Sequence, residues 1–254
     1  MSSDPSVFQS VGCAATEAAK GDLAGRRALI TGGLGTIGAE IATAFAASGA
    51  TVTLLDRPGG AAPDRFGWIG VDLNDLAAAA AATAQAVPFD ILVNNAALII
   101  NKPHDEFTLD EYEDQIRVNS SAAFALARVV APGMKAAGWG RIVNLTSITL
   151  NGQWDGYVPY VASKGAMLGL TKGLARELGR HGITVNAIAP GAVVSEAENR
   201  VFADRLAEYN AWVLERQSVK ARIEPRDVAA LAVFLCSDRA RMICGQNIAI
   251  DGGW

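Results

Sequence analysis

The stretch RRALITGGLGTIGAEIATAF, Arg26 to Phe45, decides the fold. It runs from an apolar segment through a cluster of glycines into a helix-like segment. The glycines fit two frames. Gly33, Gly35 and Gly38 match G-x-G-x-x-G, while Gly32 and Gly38 match the ends of G-x-x-x-G-x-G with Thr36 in the middle glycine's place. Either frame suits a strand–turn–helix in which bare backbone approaches a pyrophosphate and helix N-terminal amides face its charge. The next strand-like run, TVTLLD, ends at Asp56, 18 residues after Gly38. A carboxylate there accepts hydrogen bonds from ribose hydroxyls and repels a 2′-phosphate, so NAD is expected as cofactor. Arg57 is the counter-argument, since it can swing toward a phosphate.

Outward from this stretch, apolar runs alternate with helical patterns. The runs are 27–31, 51–56, 66–72, 89–95, 141–147, 183–190 and 246–251, and the helical patterns 37–48, 74–86, 108–137, 158–180 and 226–237. Runs rich in Val, Ile and Leu, without polar alternation, suit strands buried on both faces. Their order predicts an α/β fold: a doubly wound parallel sheet with helices on both faces, in a single domain of residues 25–254. Residues 1–24 are small and polar and read as an arm. Between Asp56 and Asp72, Pro58, Gly59, Gly60 and Pro63 cannot sustain a helix, so a loop is expected there.

Composition narrows the function. Of 254 residues half are hydrophobic and the net charge is −4, with no basic block, which argues against a nucleic-acid surface. No apolar run suits a membrane span and the first residues lack the features of a secretory signal. Cys13, Cys236 and Cys244 have no C-x-x-C spacing, and His104 and His181 no metal spacing. Free thiols in a cytoplasmic protein with no metal are expected.

The chemistry-bearing residues lie downstream. YVASK places Tyr160 and Lys164 on one helix face. A phenol with a reference pKa of about 10 is a poor base near neutrality. A cation roughly 4 Å away offers on the order of 4 kcal/mol at an effective dielectric of 20, worth about three pKa units. The pair reads as a proton-transfer group. Ser147 ends the run RIVNLTS, where open α/β sheets bind ligands. Asn119 sits inside a helical pattern and bonds either a water or a backbone group. Asp72 lies near the adenine position or caps the helix opened by DLNDL. In NNAA, Asn94 bonds backbone or ribose, and small Ala96 lets a cofactor pass close.

Together the glycine loop, Asp56, NNAA, Asn119, Ser147, Tyr160-x-x-x-Lys164, Pro190-Gly191 and the ending GQNIAIDGG resemble the short-chain dehydrogenase/reductase family over about residues 26–254. The resemblance implies a seven-stranded Rossmann-type fold, a homotetramer (or dimer), and a catalytic set of Asn119, Ser147, Tyr160 and Lys164. Tyr160 would be the acid/base, Ser147 would polarise the substrate oxygen, Lys164 would lower the tyrosine's pKa and hold the nicotinamide ribose, and Asn119 would support a water relay. It extends the cofactor set to Gly32, Gly35, Thr36, Ile37, Gly38, Asp72, Leu73, Asn94, Ala96, Pro190, Gly191, Val193 and Ser195. Thr36 and Ala97 depart from the family's glycines. Gly35 would restore the flexibility that Thr36 removes.

Substrate signals are fewer. Residues 193–225 form a long segment of the kind that closes over substrates in this family. Val201, Phe202, Leu206, Tyr209, Trp212 and Val213 suggest an amphipathic helix that packs on the body, on another subunit or on substrate. Leu98, Gln153 and Trp154 flank a mostly apolar pocket. The expected activity is hydride transfer between a nicotinamide and a secondary alcohol or ketone. A 3-oxoacyl thioester reductase is the alternative. Gly138 and His181 stand where such reductases carry carrier-docking arginines, which weakens it. A non-catalytic nucleotide sensor or scaffold is the alternative of another class.

Overall fold

The computed structural model describes residues 21–152 and 154–254; residues 1–20, the bulk of the expected arm, and Gln153 lie outside the described residues. Seven strands form one sheet: β1 (Arg27–Thr31), β2 (Thr51–Asp56), β3 (Gly67–Gly70), β4 (Ile91–Asn94), β5 (Gly140–Leu145), β6 (Ile183–Pro190) and β7 (Asn247–Ile250). All pairs are parallel, in the order β3-β2-β1-β4-β5-β6-β7. The strand order reverses between β1 and β4, and ligands bind at such a reversal beyond the strands' carboxyl ends. This is the doubly wound single-domain sheet expected from the alternating pattern.

Helices cover both faces: α1 (Thr36–Ala47), α2 (Leu76–Ala86), α3 (Leu109–Ile116), α4 (Ala122–Ala137), α5 (Val158–Leu178), α6 (Glu196–Phe202), α7 (Leu206–Arg216) and α8 (Pro225–Cys236). Alternation along β1 splits the core. Ala28 and Ile30 join Ile41, Phe45, Val228 and Leu235 of α1 and α8 on one face. Leu29 joins Leu126, Val130 and Leu178 of α4 and α5 on the other. Successive strand residues point to opposite faces, so one strand feeds both layers.

Two local features shape the site. No helix forms between Arg57 and Phe66, as the prolines and glycines there require. The long pattern 108–137 is divided: Thr108 and Glu111 build a reciprocal capping box that starts α3, and a π-helical turn at Arg117–Ser121 separates α3 from α4. Such turns widen a helix by one residue and recur at functional sites. Leu23 is 1% exposed and packs in the core, so the ordered body begins before the expected boundary at residue 25.

Candidate active site

The two glycine frames differ in geometry at Gly35; Gly33, like Gly32, leaves no room for a side chain, since a Cβ there would stand 2.8 Å from Leu54 Cβ. Gly32 has φ +63°, and a Cβ there would stand 2.8 Å from Ala96 Cα. A Cβ on Gly38 would lie 2.2 Å from the Gly32 carbonyl oxygen. Both positions therefore exclude side chains. Gly35 has an ordinary φ of −74° as the N-cap of α1, and its nearest contact for a Cβ is 3.4 Å away. It supplies no freedom that Thr36 removes, which corrects that expectation. Thr36 opens α1 without a clash, and its Oγ1 accepts the Glu196 N–H at 3.4 Å. Ile37 packs against the core beside it.

The turn closes against NNAA through Asn95, the second amide of that motif, which stabilises the loop. Its Nδ2 donates to the carbonyls of Thr31 and Gly32 at 3.0 and 3.1 Å. Ala96 N–H donates to Thr31 Oγ1 at 3.1 Å. Asn94 instead donates to Asn144 Oδ1 at 2.8 Å, and its own Oδ1 is buried without a partner among the described residues. Asp56 stands at the end of β2. Its Oδ2 accepts the Leu34 N–H at 2.9 Å and its Oδ1 the Arg57 N–H at 2.8 Å, leaving each oxygen a further lone pair. Asp72 accepts the Asn74 N–H at 2.9 Å, while Asp75 caps α2, so the capping alternative for Asp72 does not hold. Leu73 is buried in the second core. A backbone cradle without side chains, flanked by a carboxylate with free lone pairs, fits a dinucleotide.

Across the strand ends stand the hydroxyls of Ser147 and Tyr160. Ser147 Oγ accepts the Thr149 N–H at 3.1 Å and the Thr149 hydroxyl at 3.0 Å. With both lone pairs filled, its own O–H is left to donate, and it hydrogen-bonds Tyr160. Burial pushes the Tyr160 phenol up to about 12, opposed by the Ser147 bond and reinforced by nearby Tyr157. Lys164 is 2% exposed and is pushed down to about 8 by burial. Its Nζ donates to the Leu145 carbonyl at 2.6 Å and lies 5.4 Å from the Tyr160 ring centroid. The expected depression of the tyrosine's pKa is therefore not what this chain alone produces. Desolvation outweighs a cation that faces a carbonyl instead of the phenol.

Asn119 lies in the π-helical turn and is 1% exposed. Of the two partners left open, the structure shows backbone. Its Oδ1 accepts the Leu98 N–H at 2.6 Å, and its Nδ2 donates to the Leu98 carbonyl and to Ser163 Oγ, both at 2.9 Å. Ser163 Oγ donates to the Tyr160 carbonyl at 2.6 Å. Asn119 thus ties the segment after β4 to the helix that carries Tyr160. Thr149 and Ser163 escape a reading of the sequence because a lone hydroxyl residue carries no pattern; only the fold shows whose lone pairs it fills.

The far wall comes from the segment after β6. Pro190 is buried, and a Cβ on Gly191 would meet Ile223 Cδ1 at 2.7 Å and Asp251 Cα at 3.0 Å. Val193 is buried and bridges Ile223. Ser195 Oγ accepts the Glu198 N–H at 3.2 Å and so caps the first turn of α6. The expected amphipathic helix is two helices, α6 and α7, joined by a 3-10 turn. Trp154 meets them in an aromatic cluster: it stacks on Trp254 with centroids 4.6 Å apart and meets Trp212 edge-on at 5.4 Å. Nothing local in the sequence marks Trp254 as close to Trp154. Among the described residues no group of His, Cys, Asp and Glu is placed to hold a metal, and Cys236 and Cys244 are free thiols.

The family model described as enoyl-(acyl carrier protein) reductase matches residues 33–254. Gluconate 5-dehydrogenase of Gluconobacter oxydans is 34% identical over 245 residues, covering 91% of this chain and 95% of that protein. Galactitol 2-dehydrogenase (L-tagatose-forming) of Cereibacter sphaeroides is 38% identical over 248 residues, covering 91% and 96%. A Beutenbergia cavernae structure assigned as a NAD(P)-dependent gluconate 5-dehydrogenase, with NADP at low occupancy, is 37% identical with TM-score 0.84, covering 91% of this chain and 97% of that one.

Proposed function

We propose that this chain, which belongs to the short-chain dehydrogenase/reductase family, is a NAD-preferring dehydrogenase that oxidises a secondary alcohol of a sugar or polyol to the ketone, and runs the reverse reaction. The observation that carries the reading is the convergence of Ser147, Tyr160 and Lys164 beyond the strand ends, beside the glycine cradle.

In this reading Ser147, its lone pairs filled by Thr149, donates to the substrate oxygen and fixes it beside Tyr160. Tyr160 takes the hydroxyl proton during oxidation and returns it during reduction. A nicotinamide, when bound, supplies the hydride acceptor. Gly32, Thr36, Ile37 and Gly38 would hold the pyrophosphate, and Asp56 the adenosine ribose. Asp72, Leu73, Asn94 and Ala96 would flank the adenine side, with Pro190, Gly191, Val193 and Ser195 on the nicotinamide side. Lys164 sits one turn from Tyr160, where its ammonium can hold the nicotinamide ribose. Asn119 positions Leu98 and, through Ser163, the Tyr160 backbone; a water relay through it is part of the same reading. Residues 193–225 would close over the substrate and exclude water.

Support for NAD is the carboxylate at the ribose position. Against the thioester alternative, Gly138 has φ +63° as the left-handed cap of α4, so an arginine there would be strained. Exposed apolar Leu109, Phe124 and Val158 support assembly as a homotetramer or dimer. No described helix is long and apolar enough to cross a membrane, which is compatible with a cytoplasmic setting. The test is an absorbance screen with NAD+ across sugars, polyols, aldonates and 3-hydroxyacyl esters, paired with NADH and NADPH dissociation constants. The reading expects turnover of a sugar or polyol and tighter NADH binding. Turnover confined to acyl esters, or tighter NADPH binding, overturns the corresponding half.

A further inference from the structure

Two sets of aromatic rings lie beyond Tyr160. Tyr157 meets Tyr160 edge-on at 6.0 Å and lies within electrostatic reach of Tyr209 on α7. Tyr209 stacks with Trp212 at 5.9 Å and 20° and lies beside the Trp154 side chain. Trp154, Trp212 and Trp254 then form a closed triangle with centroid separations of 5.4, 5.1 and 4.6 Å. The triangle draws one ring from each of three elements: the loop before the catalytic helix, α7 and the segment after β7. Backbone bonds hold the last of these in place. The Ser218 N–H and hydroxyl donate to the Gly253 carbonyl at 3.2 and 2.9 Å, and the Val219 N–H to the Gly252 carbonyl at 2.8 Å. Trp254 is thereby fixed to the end of α7, yet it and the other two rings keep part of their surface exposed.

The charges beside this wall are already matched. Arg222 lies over the Tyr209 ring and is paired with Glu198, its head group also donating to the Ala192 carbonyl at 3.1 Å. Arg216 lies over Trp212, donates to the Trp212 carbonyl at 3.3 Å and pairs with Glu215 at 3.6 Å. A substrate carboxylate brought against this wall would be desolvated without a free cation among the described residues that touch it, which is costly. Rigid aromatic faces instead offer large contact area at low entropic cost to a flat, C–H-rich surface.

We infer that Trp154, Trp212 and Trp254 are specificity-determining residues that select an uncharged, ring-shaped substrate, such as an aldopyranose or a cyclic diol, over an open-chain sugar acid. This rests on the dehydrogenase reading of the same site and deepens it by naming the substrate class. It also separates the chain from relatives named for gluconate.

The test compares galactopyranose, cyclohexane-1,2-diol, galactitol and gluconate with the full chain and saturating NAD+. Ring substrates are expected to exceed gluconate in kcat/KM by at least about tenfold, the scale of discrimination by apolar contact. Trp254→Leu is expected to lower kcat/KM for ring substrates by about tenfold, through KM with kcat nearly kept, and to leave gluconate within about twofold. NADH affinity of the variant should be unchanged, which shows an intact fold. Glu198→Gln, by freeing Arg222, is expected to improve gluconate turnover relative to ring substrates. A second readout needs no turnover. The stacked Trp154–Trp254 pair is close enough for exciton coupling in far-UV circular dichroism; a couplet is expected, and a ring substrate should perturb it while gluconate does not. A perturbed couplet without turnover supports the recognition and counts only against the reading of the reaction. Preference for gluconate, equal losses on all substrates in Trp254→Leu, or a couplet indifferent to ring substrates overturns the inference.

Discussion

The two walls of the cleft are built by opposite means. On the β1–β4 side, backbone makes the site: Gly32 and Gly38 leave no room for a Cβ, and Asn95 ties the turn to the neighbouring strand. On the far side, bulky side chains make it, with Trp154, Trp212 and Trp254 packed ring on ring. The first wall has one tolerated shape and suits a cofactor common to many reactions. The second is set by which aromatics meet, and is the wall we assign to the substrate. Between them Ser147, Tyr160 and Lys164 are held by hydrogen bonds to β5 and its following turn.

Substitutions can break this contrast, beginning with the largest expected loss. Ser147→Ala should cut kcat by roughly 10²–10³ with NADH affinity kept, as expected for one lost donor to a reacting oxygen. Steady-state kinetics beside fluorescence titration of NADH would check it. Gly38→Ala should destabilise the chain by about 2–3 kcal/mol, since its methyl would meet a backbone carbonyl 2.2 Å away. Gly35→Ser, by contrast, should stay within about 0.5 kcal/mol, because it adds a capping hydroxyl at an unhindered position. Urea unfolding of the two variants checks the contrast: Gly38 serves both glycine frames, whereas a loss in Gly35→Ser as large as that in Gly38→Ala would favour the frame that uses Gly35. Asp56→Asn should erode the preference for NADH over NADPH by about tenfold, seen in the ratio of the two dissociation constants.

A smaller effect concerns pH. Burial lowers Lys164 from 10.5 to about 8 in the folded chain. Above about pH 8 the folded chain releases a proton that the unfolded chain still holds, so this group adds stability as pH rises, by at most about 1.4 kcal/mol per unit. That gain is complete above the unfolded value of 10.5. Cys236, raised from 9.0 to about 12, removes stability as pH climbs past 9. The clean window is therefore pH 8 to 9, where cofactor-free wild type should gain stability relative to Lys164→Met. Parallel pH profiles would contradict the buried ammonium.

The contrast also explains how far the residues alone reach. The sheet is legible because buried parallel strands are continuous apolar runs, and the loop after β2 because Pro58 and Pro63 forbid a helix. Ser147, Tyr160 and Lys164 are legible because they fall in order with the glycine loop, Asp56 and NNAA; the Tyr–Lys spacing alone is common by chance. The roles of Asn94 and Asn95 are not, since only strand register shows which of two adjacent amides meets the glycine turn. The depressed Lys164 and raised Tyr160 escape for a different reason: spacing reports proximity, whereas burial, which only the packed chain reveals, moves both groups further than their mutual attraction does. The aromatic triangle lies furthest from view, joining positions 154, 212 and 254 through tertiary packing alone.

The most direct measurement compares wild type and Tyr160→Phe in NADH formation from a sugar or polyol, with NADH binding measured on the same samples. Loss of turnover by about 10³ or more with NADH affinity unchanged is the predicted result, the scale of a lost general acid/base. Turnover within about tenfold of wild type would contradict the assignment of proton transfer to Tyr160, and with it the account of this site.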